Sequence, residues 1–371
     1  MPTLRSHHIV AIGLIFSASL LLSGLCITTE AAENTDATLQ VLNRDIPHLL
    51  TEAAIPSVSI AQIKQGRIAL TAAYGSQSQG TPATTETLYN IASLTKPLTA
   101  EVILRMASKN VISLDEPMYS YWTDPDIAND ERRKLLTPRL ALSHRTGFPN
   151  WRDKKDGLKF VNEPGTVWGY SGEGYQYVAR FAEKKTDKSF EELAQTYLFD
   201  PARMKSTSYI GKPWFEGRIA IPTSAAGEPL KPEIGTHYNA ADLVYTTARD
   251  YAVFMVAVLK NRSLSSIIAK ERNRIQVSMM QQTCQGAKAE SCPHETGYGL
   301  GWQILDFKDE TLMMHTGKDD GIFTFAYLNR TTGDGAVIFT NGEDGYKIIL
   351  PILERLHTSP MYIRFLQGQM K

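Results

Sequence analysis

Residues 88–104 read LYNIASLTKPLTAEVIL and contain the spacing Ser-x-x-Lys at Ser93 and Lys96. On a helix, side chains three positions apart lie on one face, so the serine hydroxyl and the lysine amine would be neighbours. Pro97 lacks a backbone N–H and is tolerated only in the first turn of a helix, which predicts that Ser93 stands at a helix N-terminus. Free N–H groups and the helix dipole favour negative charge there, as a developing oxyanion requires.

A second candidate motif, Tyr170-Ser171-Gly172, lies in the segment PGTVWGYSGEGYQYV. The glycines around it would let the backbone approach a ligand closely, and the Tyr170 phenol could relay a proton. Because the chain contains 16 tyrosines, a packing role is the alternative. The neighbouring serine needs no catalytic role, since the Gly-x-Ser-x-Gly pattern of a nucleophile elbow is broken by Glu173.

A third candidate motif, His315-Thr316-Gly317, falls on a predicted strand just before Lys318. The small Thr-Gly pair on a strand edge leaves room for an extended substrate to pair with that edge. A histidine that only supports the structure is the alternative interpretation for His315.

The arrangement of the remaining elements predicts an α+β fold. A β-hairpin is predicted near residues 58–74 and further strands near 299–340, whereas residues 91–282 are mainly helical. Strands at both ends with helices between them imply an antiparallel sheet built from both chain ends and flanked by helices. We therefore expect one two-lobed domain over residues 33–371, with a sheet lobe at about 38–90 and 290–371 and a helical lobe at about 91–289.

Composition excludes several classes of partner. The 371 residues are 43% hydrophobic and 21% charged, with 39 Lys plus Arg against 39 Asp plus Glu. A disordered chain would have fewer apolar residues, and a nucleic-acid binder would carry an excess of basic ones. The sequence thus predicts a globular protein with no nucleic-acid partner and a small-molecule substrate.

The N-terminal segment resembles an export signal. An uncharged run over residues 9–25 follows Arg5 and precedes the small residues Ala31 and Ala32. This order predicts a signal peptide over residues 1–32 and a periplasmic or secreted protein. This uncharged run of 17 residues is also just long enough for an uncleaved anchor, which would be the protein's membrane contact.

The two cysteines beyond that segment, Cys284 and Cys292, are predicted to form a disulfide, because exported proteins keep such bonds. Free thiols are one alternative, and a metal site that includes His294 is another. The spacing matches no common zinc pattern, so we expect neither a metal nor another cofactor.

The order of the three motifs resembles that of penicillin-recognising serine hydrolases, and in particular the class C β-lactamase family, which also holds D-alanyl-D-alanine carboxypeptidases and esterases. The likeness runs from about Ile55 to Gly342 and includes ISLDEP at Ile112, LALSHRTGFPNW around His144, YGLGW at Tyr298 and the closing VIFTNG.

The resemblance implies a role for each motif. Ser93 would be the acylated nucleophile, and Lys96 and Tyr170 would be the proton-transfer pair. The backbone N–H groups of Ser93 and Lys318 would form the oxyanion hole, beside the substrate strand His315-Thr316-Gly317. Free lysine and tyrosine titrate near pH 10, so we expect the positive neighbour to lower the Tyr170 pKa. His144 is expected to fix its loop by hydrogen bonds.

Two positions depart from the family pattern. Gly172 stands where β-lactamases usually carry an asparagine that meets the substrate's amide, and His315 stands where they mostly carry lysine. We expect His315 to be partly charged near neutrality and to hold a substrate carboxylate only weakly. These changes favour an esterase, ahead of a D-amino-acid peptidase or D-alanyl-D-alanine carboxypeptidase, and at most a weak β-lactamase. A penicillin-binding sensor that acylates slowly or not at all is the non-enzyme alternative.

Overall fold

The computed structural model describes residues 19–370, with the backbone alone for residues 19–34. The first 18 residues of the predicted signal peptide therefore lie outside the described part. The remainder of that segment is the beginning of the first helix, Ser19–Glu52. No helix in the described range is long and apolar enough to cross a membrane. Cleavage, anchoring and export stay predictions.

A large antiparallel sheet forms the centre of the molecule, and a small two-stranded sheet accompanies it. In chain order the strands are β1 Ser57–Lys64, β2 Arg67–Ser78, β3 Thr81–Pro82, β4 Tyr89–Asn90, β5 Tyr245–Thr246, β6 Val277–Ser278, β7 Glu295–Tyr298, β8 Gln303–Asp306, β9 Thr311–Asp319, β10 Ile322–Asn329 and β11 Gly335–Thr340. The large sheet has the order β3-β2-β1-β11-β10-β9-β8-β7-β6, and the small sheet pairs β4 with β5.

The first and last long strands are neighbours in the sheet. β1 pairs antiparallel with β11, with Val58 opposite Thr340 and Ile63 opposite Gly335. The predicted hairpin is present, because Gln65 and Gly66 both adopt the positive φ angles that a tight two-residue turn requires. The α+β prediction, with a sheet built from both chain ends, is therefore confirmed.

Helices cover both faces of the sheet. They are α1 Ser19–Glu52, α2 Thr95–Ser108, α3 Pro138–Leu142, α4 Gly172–Thr186, α5 Phe190–Ala194, α6 Asp200–Ala202, α7 Ala248–Leu259, α8 Ser266–Arg272, α9 Met280–Thr283, α10 Ile349–Arg355 and α11 Pro360–Gln369. Short 3₁₀ turns, of which Ala92–Leu94 is the functionally important one, and a π-helical turn at Gln195–Phe199 complete the secondary structure.

Alternation along the strands divides the core into two layers. On β11, Val337 and Phe339 join the apolar cluster that contains α2, α4 and α7. Ala336 and Ile338 point to the opposite face and pack with α1, α10 and α11. Successive side chains of a strand point to opposite faces, so one strand contributes to both cores. The short strand β6 precedes residue 290, where we placed the return to the sheet lobe; the lobe boundaries themselves stay predictions.

Candidate active site

The turn that carries Ser93 is held in a strained conformation. Ala92, the residue before it, has a φ of +45°, which side chains other than glycine rarely adopt. The Ala92 N–H donates to Asn90 Oδ1 at 2.9 Å, and the Ile91 N–H donates to the Val244 carbonyl at 3.0 Å. The 3₁₀ turn leads directly into α2, so Ser93 lies just before the N-terminus of that helix.

Lys96 and Ser93 lie side by side, as the spacing predicts. Lys96 Nζ donates to Ser93 Oγ at 2.9 Å and to the Ala241 carbonyl at 2.9 Å. The lysine is fully buried, and burial lowers its pKa to about 8, against an opposing effect of the nearby Asp242 carboxylate. A substantial fraction of the Lys96 side chains is therefore neutral near pH 8 and can accept the serine proton.

Tyr170 completes the group. Its ring centroid lies 4.7 Å from Lys96 Nζ, and its hydroxyl forms a hydrogen bond with Ser93. Our expectation of a lowered phenol pKa was wrong: burial raises the pKa of Tyr170, and this effect exceeds the opposite effect of the Ser93 hydrogen bond. The phenol therefore remains protonated at neutral pH. Lys96 is the group that can act as a base, while Tyr170 can donate a hydrogen bond.

The loop before α4 holds Tyr170 in place. Ser171 caps this helix, because its hydroxyl accepts the Gly174 N–H at 3.0 Å and donates to the Pro149 carbonyl at 2.8 Å. The Ser171 N–H donates to His144 Nδ1 at 3.0 Å. Burial holds the His144 pKa well below its ordinary value, so this ring is neutral. His144 and Ser171 thus fix the loop by hydrogen bonds, as we expected from the sequence.

Strand β9 brings the third motif against the turn that carries Ser93. A side chain at Gly317 would place its Cβ 3.0 Å from the Ser93 nitrogen and against the Ile91 carbonyl, so only glycine fits here. β8 pairs with residues 311–314 of β9, whereas residues 315–319 pair only with β10 among the described strands. The free edge next to Ser93 includes Lys318. The oxyanion hole formed by the N–H groups of Ser93 and Lys318 stays a prediction.

The charge state of His315 differs from our expectation. The side chain is 6% exposed, and burial lowers its pKa to about 3. Nδ1 forms a 2.7 Å hydrogen bond with the Thr316 carbonyl, while Nε2 is buried without a hydrogen-bond partner among the described residues. His315 is therefore neutral throughout the physiological range, and it offers no positive charge to a substrate carboxylate.

Gly172 makes room for a tryptophan that the sequence did not bring to attention. A Cβ at Gly172 would lie 2.6, 2.8 and 2.9 Å from three carbons of the Trp151 indole. Trp151 is 42% exposed, and its indole forms an aromatic wall beside Gly172, which follows Tyr170 by two residues. Asn150, the residue before Trp151, links this segment to the start of α4, because its side-chain oxygen accepts the Gly172 N–H at 3.0 Å. The indole occupies the space where the family's asparagine would begin.

Asp242 is the second site residue that we did not predict. Its Oδ1 lies 3.4 Å from Ser93 Oγ, close enough for a weak hydrogen bond from the hydroxyl. No repeated spacing or recognisable motif surrounds it in the segment YNAADLVYTT, so only the folded chain brings this carboxylate to the nucleophile.

The cysteine prediction and the metal question concern a region outside this site. Cys284 and Cys292 are joined in a disulfide, with Cα atoms 5.9 Å apart. In the part of the chain that the structure describes, no group of three or more His, Cys, Asp or Glu residues is arranged to hold a metal ion.

Comparison with solved structures supports the fold. Two solved structures share the fold: the octameric penicillin-binding protein homologue from Pyrococcus abyssi, with a TM-score of 0.71 and 20% identity over 87% of this chain and 78% of that one, and D-alanine carboxypeptidase AmpC from Burkholderia cenocepacia, with a TM-score of 0.70 and 20% identity over 87% and 99%.

Sequence relatives cover most of the chain. Protein flp of Staphylococcus aureus strain MW2 is 22% identical over 346 residues, covering 87% of this chain and 67% of the relative. A beta-lactamase of Escherichia coli strain K12 is 24% identical over 319 residues, covering 82% and 80%. The model of the Beta-lactamase family matches residues 42–357, which include the strained serine turn, the Tyr170 loop and the β9 edge, and the chain belongs to that family.

Proposed function

We propose that this protein is an exported serine hydrolase that forms an acyl-enzyme on Ser93 and hydrolyses an ester or an amide of a small acyl substrate. The observation that carries the proposal is the 2.9 Å contact between Ser93 Oγ and the buried Lys96 amine, with Tyr170 on the same hydroxyl. Membership of the Beta-lactamase family supports a serine hydrolase in general.

The proposed chemistry assigns one step to each group. Neutral Lys96 takes the Ser93 proton while the serine oxygen attacks the carbonyl carbon of the substrate. Tyr170, protonated because it is buried, lies next to the same oxygen and would pass its proton to the leaving group. Lys96 would then return the serine proton to the Tyr170 oxygen. Water then releases the acyl group by the reverse sequence of proton transfers.

Two features favour an ester substrate over a β-lactam or a D-alanyl-D-alanine peptide. Both of the latter carry a carboxylate near the scissile bond, and the neutral His315 cannot pair with it. Trp151 also fills the space beside Gly172 from which an asparagine would reach a substrate amide. We therefore place an esterase ahead of a D-amino-acid peptidase, a carboxypeptidase or a weak β-lactamase.

The test uses the mature protein with a short-chain p-nitrophenyl ester, a D-alanyl peptide and a β-lactam, and it detects the acyl-enzyme by mass. We expect steady turnover of the ester and a mass increase located on Ser93. Ser93→Ala should abolish both, because no other described group replaces the nucleophile. Undiminished turnover in Ser93→Ala would refute the mechanism. A stoichiometric burst without steady turnover would instead indicate the sensor.

A further inference from the structure

The Asp242 carboxylate lies beside the atom that would attack the substrate, 3.4 Å from Ser93 Oγ. The segment that carries it is fastened to α2, because the Ala240 carbonyl accepts the Thr99 hydroxyl at 2.6 Å and the Ala241 carbonyl accepts Lys96 Nζ at 2.9 Å. These bonds fix the backbone next to Asp242, and its carboxylate lies beside Ser93 Oγ.

The charges around this carboxylate leave it uncompensated in the reactive state. Within the described part of the chain no ion pair involves Asp242, and Lys96 is the cation that acts on it, whereas Asp319 and Glu233 add negative potential. Lys96 must be neutral in order to accept the serine proton. In that state Asp242 loses the cation that opposes the rise of its pKa, so its carboxylate is favoured in the ionised form only when another cation takes that position.

The neighbouring groups do not favour an anionic substrate either. His315 is neutral and Asp319 adds negative potential at Asp242, while the exposed Lys318 is the cation on the same strand. A substrate carboxylate would thus approach one or more carboxylates and meet no positive histidine. A positive substrate group would remove the repulsion, fill the missing counter-ion position and be attracted by the local field.

We propose that Asp242 is a specificity-determining residue that binds a positively charged ammonium group of the substrate near the scissile carbonyl. The substrate class is therefore an ammonium-bearing ester or amide. This inference rests on the proposed hydrolase function and refines it.

Pairs of esters that differ only in charge can test this inference. Acetylcholine and 3,3-dimethylbutyl acetate place the trimethylammonium or tert-butyl group on the alcohol side. Phenyl 4-(trimethylammonio)butanoate and phenyl 5,5-dimethylhexanoate place it on the acyl side. Each pair has nearly the same shape, so the ratio of the two kcat/KM values isolates the effect of the charge, and the quaternary ammonium does not itself titrate.

The wild-type protein should prefer the cationic member of at least one pair by about tenfold or more. Asp242→Asn keeps the side-chain shape and removes the charge, and this preference should fall to less than about threefold. The neutral ester should become a better substrate in this variant, because the opposing charge is absent. Asp309→Asn, the same change at an exposed residue between β8 and β9, should retain the wild-type preference.

A second measurement follows the same charge preference as the pH changes. Burial raises the pKa of Asp242 to about 7, with Lys96 opposing the rise and Asp319 and Glu233 adding to it. The carboxylate becomes charged as the pH rises, so the wild-type preference for the cationic ester should increase between about pH 6 and pH 8. The increase should be absent in Asp242→Asn.

Several results would overturn the inference. An equal preference in the wild type and in Asp242→Asn would do so, as would the absence of a preference in both pairs. A loss of all four activities in equal proportion in Asp242→Asn would assign the residue to the chemical step instead. If the wild-type protein turned over none of the esters and formed no acyl-Ser93, the hydrolase proposal would fail, and this inference would fail with it.

Discussion

The contact between Gly172 and Trp151 predicts that Gly172→Ala destabilises the wild-type fold but stabilises a variant that lacks the Trp151 indole. The Gly172 φ lies in the region that all residues adopt, so alanine is allowed there by the backbone. The new Cβ would nevertheless lie 2.6 Å from an indole carbon, which is closer than two non-bonded carbon atoms normally approach. Overpacking in a core costs about 1 to 3 kcal/mol, and we expect the lower end here because the clashing atoms are the far end of a side chain that is 42% exposed.

Other contacts fix the backbone on both sides of Trp151, so relief of the overlap requires the indole itself, which is 42% exposed, to turn toward solvent. Asn150 accepts the N–H groups of Gly172 and Glu173 at 3.0 Å each, and Arg152 forms an ion pair with Glu173 at 2.7 Å. In a Trp151→Ala background the space is empty. There Gly172→Ala should stabilise the fold by about 0.4 to 1 kcal/mol, because alanine restricts the unfolded chain more than glycine does.

Urea unfolding of the wild type, both single variants and the double variant measures this difference directly. We expect a coupling free energy of about 2 kcal/mol between the two positions. The midpoint should decrease in Gly172→Ala and increase when the same change is made in Trp151→Ala. Equal changes in the free energy of unfolding in the two backgrounds would show that the indole does not occupy this space in solution.

Two further predictions concern buried charges. Because burial lowers the Lys96 pKa to about 8, kcat/KM for a neutral ester should rise with pH, with a midpoint near pH 8. In Asp242→Asn the midpoint should lie at lower pH, because the Asp242 charge that raises the Lys96 pKa is absent. A midpoint at the ordinary lysine value of about 10.4 would contradict this assignment. Glu101 is fully buried and forms ion pairs with Arg105 and Arg272. Glu101→Gln leaves these arginines without their anion, so it should lower the free energy of unfolding by about 3 to 5 kcal/mol in the same urea assay. A change below about 1 kcal/mol would show that the arginines find other partners or water.

Much of the architecture could be predicted from the sequence because it depends on local patterns. The hairpin turn, the alternation of β11 and the Ser-x-x-Lys spacing are each encoded within a few residues. Proline at position 97 likewise locates the start of a helix from a covalent property of one residue.

The parts that could not be predicted depend on long-range burial. The protonation states of Tyr170 and His315 follow from how deeply the fold buries them, and neither environment can be read from neighbouring residues. Asp242 reaches Ser93 across 149 positions of the chain. Trp151 meets Gly172 because two loops are joined by hydrogen bonds. Each of these contacts requires the folded structure.

The pairing of β1 with β11 also has a consequence for the order of events during synthesis. β1 is among the first elements to leave the ribosome, yet one of its two neighbours in the sheet ends at Thr340. Loop closure over nearly the whole chain must precede this pairing, and such distant contacts form slowly. The strand beside Ser93, β9, also comes late in the chain. A partly synthesised chain can form the local β1–β2 hairpin, but it has neither a complete sheet nor a complete site until the residues of β9 and β11 have been made.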